Sequence, residues 1–124
     1  MKNLDKVPII ERLVFAYHKP FAAAEISPRM VAISCRSQRY PFILRTVGVG
    51  VEWHFIEHEF LRQIRAFISG QSGSRLESWE VVQPGLKLQV TAGVWQFKTG
   101  SGDGGFHELT DRQVTDIKAF FGLE

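Results

Sequence analysis

A single cysteine, Cys35, stands in a chain of 124 residues. One thiol excludes an intramolecular disulfide and any zinc cluster built on thiolates. It is also the cysteine usage of a protein kept in a reducing compartment, so a cytoplasmic location is expected. Long apolar runs are lacking: no stretch approaches the ~18 residues of a membrane span, so no membrane partner is expected. The opening residues lead into a short apolar run broken by Glu11 and Arg12, which is not the pattern of a secretory signal. A strong charge bias is lacking as well. Fifteen basic residues against thirteen acidic ones leave +2, a total that implies no polyanion or acidic membrane as partner. What the chain has in quantity is apolar and aromatic side chains, at 44% and 12%. That excludes wholesale disorder and supports one domain, residues 1–124, with a core of its own.

Periodicity divides the chain into short elements. Over Val7–His18, Ile9, Ile10, Leu13, Val14 and Tyr17 fit a helical stripe behind Pro8, although alternate residues also share a strand parity; a helix is preferred. Between Pro20 and Pro28 a loop is expected, its Ala22–Ala24 run having the composition of one helical turn. Arg29–Arg36 and Phe42–Trp53 read as two antiparallel strands, the second interrupted by Gly48 and Gly50. Phe55–Ser69 has helical spacing, with Ile56, Phe60, Ile64, Phe67 and Ile68 as its inward row. Leu76–Gln83 and a strand from Leu86 flank Pro84-Gly85, the central pair of a type II turn. The apolar parity then slips at Ala92-Gly93, which either a bulge or a two-residue turn restores; the turn, before a strand Val94–Lys98, is preferred. A last helix starts at Thr110, where Thr110 and Gln113 form a capping box. No internal repeat is read. The expected fold is α+β: one mostly antiparallel sheet of about five strands with two or three helices on one face.

Several clusters bear on chemistry. His54-Phe55-Ile56-Glu57-His58 spells H-x-x-E-H, which resembles the zinc signature of the inverzincins. On that resemblance His54 and His58 are ligands, Glu57 is the base, and Glu108 or Glu124 is the third ligand. The helical wheel opposes it, because Arg62 and Arg65 share the face of His58 and repel a cation. The reading preferred for the helix turns both imidazoles outward to water. Gly100, Gly102 and Gly105 match the spacing of a dinucleotide loop. The helix that should open inside that motif starts five residues too late, so a surface loop is expected. Cys35 shares strand parity with Val31 and Ile33 and reads as a small buried thiol. His18 and His107 stand alone.

Charge is uneven. Residues 27–52 carry +3, through Arg29, Arg36, Arg39 and Arg45, whereas residues 76–124 carry −3. Opposite charges on two halves suit a homodimer. The expectation is therefore a non-catalytic binding or interaction module without cofactor or metal. Its protein or small-molecule ligand is met by Trp53, Trp79, Trp95, Arg36, Arg39 and Tyr40. Two alternatives remain: a small hydrolase-like enzyme using His54, Glu57 and His58, and a nucleic-acid binder using the basic hairpin of Arg36, Arg39, Tyr40 and Arg45.

Overall fold

The computed structural model describes residues 19–37, 39–70, 78–100 and 105–123. The helix expected over residues 7–18, with His18, lies outside them, as does Glu124. Among the described residues eight strands and two helices follow one another as four strands, a helix, four strands, a helix. Strands β1 (Pro20–Ser27), β2 (Met30–Cys35), β3 (Phe42–Val47) and β4 (Val51–Ile56) form one antiparallel sheet in chain order, followed by α1 (His58–Gly70). Strands β5 (Ser78–Gln83), β6 (Leu86–Thr91), β7 (Val94–Thr99) and β8 (Phe106–Leu109) form the second, followed by α2 (Asp111–Phe121).

The α+β, antiparallel expectation holds, but a single sheet of about five strands does not. Three local features account for the difference. Phe42–Trp53 is two strands, because the chain reverses at Gly48–Gly50, where the Gly48 N–H donates to Gly50 O at 2.9 Å. The alanine run is β1, an edge strand opened by Pro20, where a missing N–H costs no ladder bond. Strand β8 has only four residues, too few for alternation to register. Two expected turns are present: Gly85 has φ 76°, as the third position of a type II turn requires, and Ala92 and Gly93 (φ 51° and 81°) link Thr91 to Val94 in a two-residue hairpin.

Helix α1 starts at His58 rather than Phe55, since Trp53–Ile56 still pair with β3. The capping box of α2 is formed as expected: the Gln113 N–H donates to Thr110 Oγ1 at 3.2 Å, and the Thr110 N–H donates to Gln113 Oε1 at 2.9 Å. The helices exchange sheets. Helix α1 packs on β5 of the second sheet, and α2 packs on β1 of the first as well as on its own β8. Arg65 of α1 fastens the exchange, its Nε donating to Gly122 O at 3.1 Å beyond the end of α2. One core therefore draws on both sheets and both helices, with Leu44, Ile56, Phe60, Ile64, Leu88, Phe97, Ile117 and Phe121 almost fully buried.

The matching order conceals a repeat that the sequence reading missed. In the first sheet His54 faces Leu44 and Ile56 faces Phe42; in the second His107 faces Phe97 and Leu109 faces Trp95. Each equivalent pair, His54 with His107 or Leu44 with Phe97, is separated by 53 positions. The helices keep that spacing: Ile64-Arg65-Ala66-Phe67 corresponds to Ile117-Lys118-Ala119-Phe120. Between β2 and β3 the register is lost, because Arg36–Pro41 replaces the two-residue Ala92-Gly93 turn. The extra loop carries Arg36, Arg39 and Tyr40.

Candidate functional site

The two sheets share a plan on their core-facing sides and diverge on their outer sides. Outward rows in the second sheet are Lys87, Lys98 and Phe106, then Gln89, Gln96 and Glu108. Their counterparts in the first sheet are Val31, Arg45 and Trp53, then Ile33, Ile43 and Phe55. Apart from the matching pairs Arg45–Trp53 and Lys98–Phe106, polar residues thus stand on one outer face where aliphatic and aromatic residues stand on the other. On the first sheet Ile33, Cys35 and Ile43 are buried as a small second cluster, banked by Val31, Trp53 and Phe55. Burial pushes the Cys35 thiol pKa up, so it is an inert part of that floor.

Arginines and rings gather on this face and its rim. The Arg45 guanidinium lies 5.7 Å from the Trp53 ring centre, Arg39 lies 5.3 Å from Tyr40, and Arg36 lies 5.3 Å from Phe21. Tyr40 in turn meets Phe55, ring centres 5.5 Å apart. Each contact falls within the ~6 Å at which a cation is drawn to a ring face. Phe21 is 57% exposed, and Arg36, beside it, and Arg39 are exposed as well.

A cavity of about 540 Å³ opens where the free edge of β4 meets the β5–β6 turn. Tyr40, Trp53, Phe55, Glu52, Glu57 and Gln83 line it, with Pro84-Gly85 and Gly100 at its far side. Gln83 closes the gap between the sheets: its Nε2 donates to Phe55 O at 2.9 Å, and its Oε1 accepts from the Glu57 N–H at 3.1 Å. Its amide thereby serves the outward backbone groups of an edge strand as a neighbouring strand does. The indole N–H of Trp53 is buried without an acceptor among the described residues.

The H-x-x-E-H segment is not a helical face. His54 belongs to β4 and points into the core, 7% exposed, with Nε2 2.9 Å from Thr46 Oγ1 and 3.8 Å from Glu52 Oε2. His58 is exposed at the first position of α1. The strand-to-helix change at Glu57 separates the two rings, so the shared face that the zinc signature requires does not exist, and the expectation that both imidazoles face water fails for His54. Glu57 and His54 line the same cavity. Among the described residues no three His, Cys, Asp or Glu side chains group closely enough to hold a metal ion.

The other singled-out residues separate cleanly. Trp53, Arg36, Arg39, Tyr40 and Arg45 come together. Trp79 and Trp95 do not: their edge-to-face pair, 5.7 Å between centres, is in the core, and Phe67 stacks on Trp79. Their parity with Val81 and Phe97 turns them inward, away from Trp53, and Trp79 also borders a separate cavity with Ser78, Glu80, Gln89 and Thr91. Gly100 and Gly105 stand between two strands, β7 and β8; residues 101–104 of that glycine motif, Gly102 included, lie outside the described residues. Phe21 joins this set through β1, whose weak alternation carries no strand signal in the sequence.

Among the described residues no helix is long and apolar enough to cross a membrane. Comparison with protein-family models, with curated proteins and with solved structures finds no match to this chain.

Proposed function

We propose that the protein is a non-catalytic binding module that takes single-stranded nucleic acid along the rim of the first sheet's outer face, beside the buried floor of Ile33, Cys35 and Ile43. One observation carries the reading: three arginine–aromatic pairs, Arg36 on Phe21, Arg39 on Tyr40 and Arg45 on Trp53, gather at one sheet face. Rings with adjacent guanidinium groups meet both halves of a nucleotide, because the ring stacks on a base while the cation neutralises its phosphate. A duplex hides its base faces, which favours a single strand over a double one. The whole-chain charge of +2 understates this face, since the acidic residues concentrate in the other half.

The cavity beside the face adds polarity. Glu52 and Glu57 repel phosphate and accept from N–H donors, so a base edge enters while the backbone stays over Arg39 and Arg45. The test is fluorescence anisotropy with a labelled oligothymidylate at low and raised salt. Binding is expected, with log affinity falling linearly against log salt. Arg45→Ala and Trp53→Ala, checked for folding by circular dichroism, are each expected to weaken it about tenfold. No binding at low salt, or an affinity indifferent to salt, overturns the reading.

A further inference from the structure

The Arg45–Trp53 pair has a twin. Lys98 and Phe106 are cross-strand partners on the outer face of the second sheet, as Arg45 and Trp53 are on the first. The Lys98 ammonium lies 6.0 Å from the Phe106 ring centre, and Phe106 is 43% exposed. The two pairs are related by the same 53-position spacing that relates His54 to His107. Around them the faces have diverged, with Ile33, Ile43 and Phe55 against Gln89, Gln96 and Glu108, yet a cation over a ring stands at the same place on both.

A second, independent observation joins the two places. A shallow cavity of about 270 Å³ lies against Lys87 and Lys98 and shares Gln83, Gly85 and Gly100 with the cavity beside Trp53. The two cavities therefore adjoin at the β5–β6 turn, one beside Trp53 and the other beside Lys98. Lys87 is held 3.5 Å from Glu80, which leaves Lys98 as the cation that serves a ligand there.

We infer that Lys98 and Phe106 form a second nucleotide subsite, reached by the same strand after it crosses the turn at Pro84-Gly85. This rests on the nucleic-acid reading of the first sheet and extends it: one bound strand is long enough to be read twice, once at Trp53 and once at Phe106. The second subsite is the weaker, because a single lysine and a phenylalanine replace three arginines and a richer set of rings.

The experiment compares oligothymidylates of about five and about twelve nucleotides, lengths that bracket the short and long site sizes of sheet-face binders. Lys98→Ala and Phe106→Leu are titrated with each, the leucine keeping apolar volume while removing the ring. The longer oligomer is expected to lose about tenfold in affinity and the shorter to lose nothing, and Lys98→Ala lowers the salt slope for the longer one by about one. If neither variant changes the longer oligomer, or both lengths weaken alike, the second subsite is wrong. Arg45→Ala, included alongside, keeps that failure distinct: weakening both lengths there leaves the first-sheet reading standing. Absence of binding by the unaltered protein removes both.

Discussion

His107 stands in the second half of the chain where His54 stands in the first, each facing inward across the strand from a core residue, Phe97 and Leu44. They are 5% and 7% exposed and close enough for one charge to weigh on the other. Burial holds both pKa values below the usual histidine range. At His107 the charges of Arg29 and His54 add to burial and Glu52 opposes it; at His54 Glu52 alone opposes it.

A depressed histidine pKa means that the unfolded chain binds protons first. Stability is then full above the unfolded value of about 6.5 and falls as pH drops below it toward the folded values. Thermal melts should be flat from pH 8 to about 7 and decline below about 6.5, before carboxylates begin to protonate. His107→Gln should flatten part of the decline; a melting temperature unchanged down to about pH 5.5 contradicts it.

Ala92 holds the left-handed conformation, φ 51°, in the β6–β7 hairpin. A side chain with Cβ is strained there by about 1–2 kcal/mol, whereas asparagine adopts that region readily. Ala92→Asn is expected to raise unfolding stability by roughly 1 kcal/mol, read as a higher denaturant midpoint at an unchanged slope.

Gly105 is required by close approach. A Cβ there would come within 2.5 Å of Thr99 Oγ1 and 2.8 Å of the Thr99 carbonyl oxygen, so the backbone of one strand must shift to admit it. Gly105→Ala should cost about 1–3 kcal/mol. Gly50, where a Cβ meets nothing within 4 Å, is the control: Gly50→Ala should change stability by less than about 0.5 kcal/mol. Equal effects at the two positions would refute the packing account.

Gln83 is the clasp between the sheets. Gln83→Ala strands the Glu57 N–H and the Phe55 carbonyl, and should destabilise by about 1–3 kcal/mol in urea unfolding. Gln83→Glu keeps an acceptor for Glu57 but loses the donor to Phe55, so it should fall between the parent and the alanine variant.

Legibility followed locality. The type II turn at Pro84-Gly85, the hairpin at Ala92-Gly93, the Thr110 cap and the strong periodicity of α1 are set by neighbours within a few residues, and all were readable. Strand β1 was not, because Phe21-Ala22-Ala23-Ala24 alternates too weakly and is ordered by pairing with β2. The repeat was not, because Ser37–Pro41 breaks the spacing and because selection for a common core leaves only size and parity in common, as with Leu44 and Phe97. The constant separation of His54 and His107, followed by the two Ile-Arg/Lys-Ala-Phe segments, was the available signal. Arg36, Arg39, Tyr40 and Arg45 were readable as a basic hairpin, but Trp53 could not be assigned to them while Trp79 and Trp95 competed for the same role.

The sequence by itself determined the class of fold, the turns, the caps and the arginine-rich hairpin, since each depends on backbone preference and on residues a few positions apart. Tertiary structure alone decided which sheet face is apolar, which tryptophan stands beside an arginine, and that His54 turns inward while His58 stays in water. Those outcomes depend on strand parity measured against a partner strand and on helices that cross to the opposite sheet, and a linear chain does not state either one.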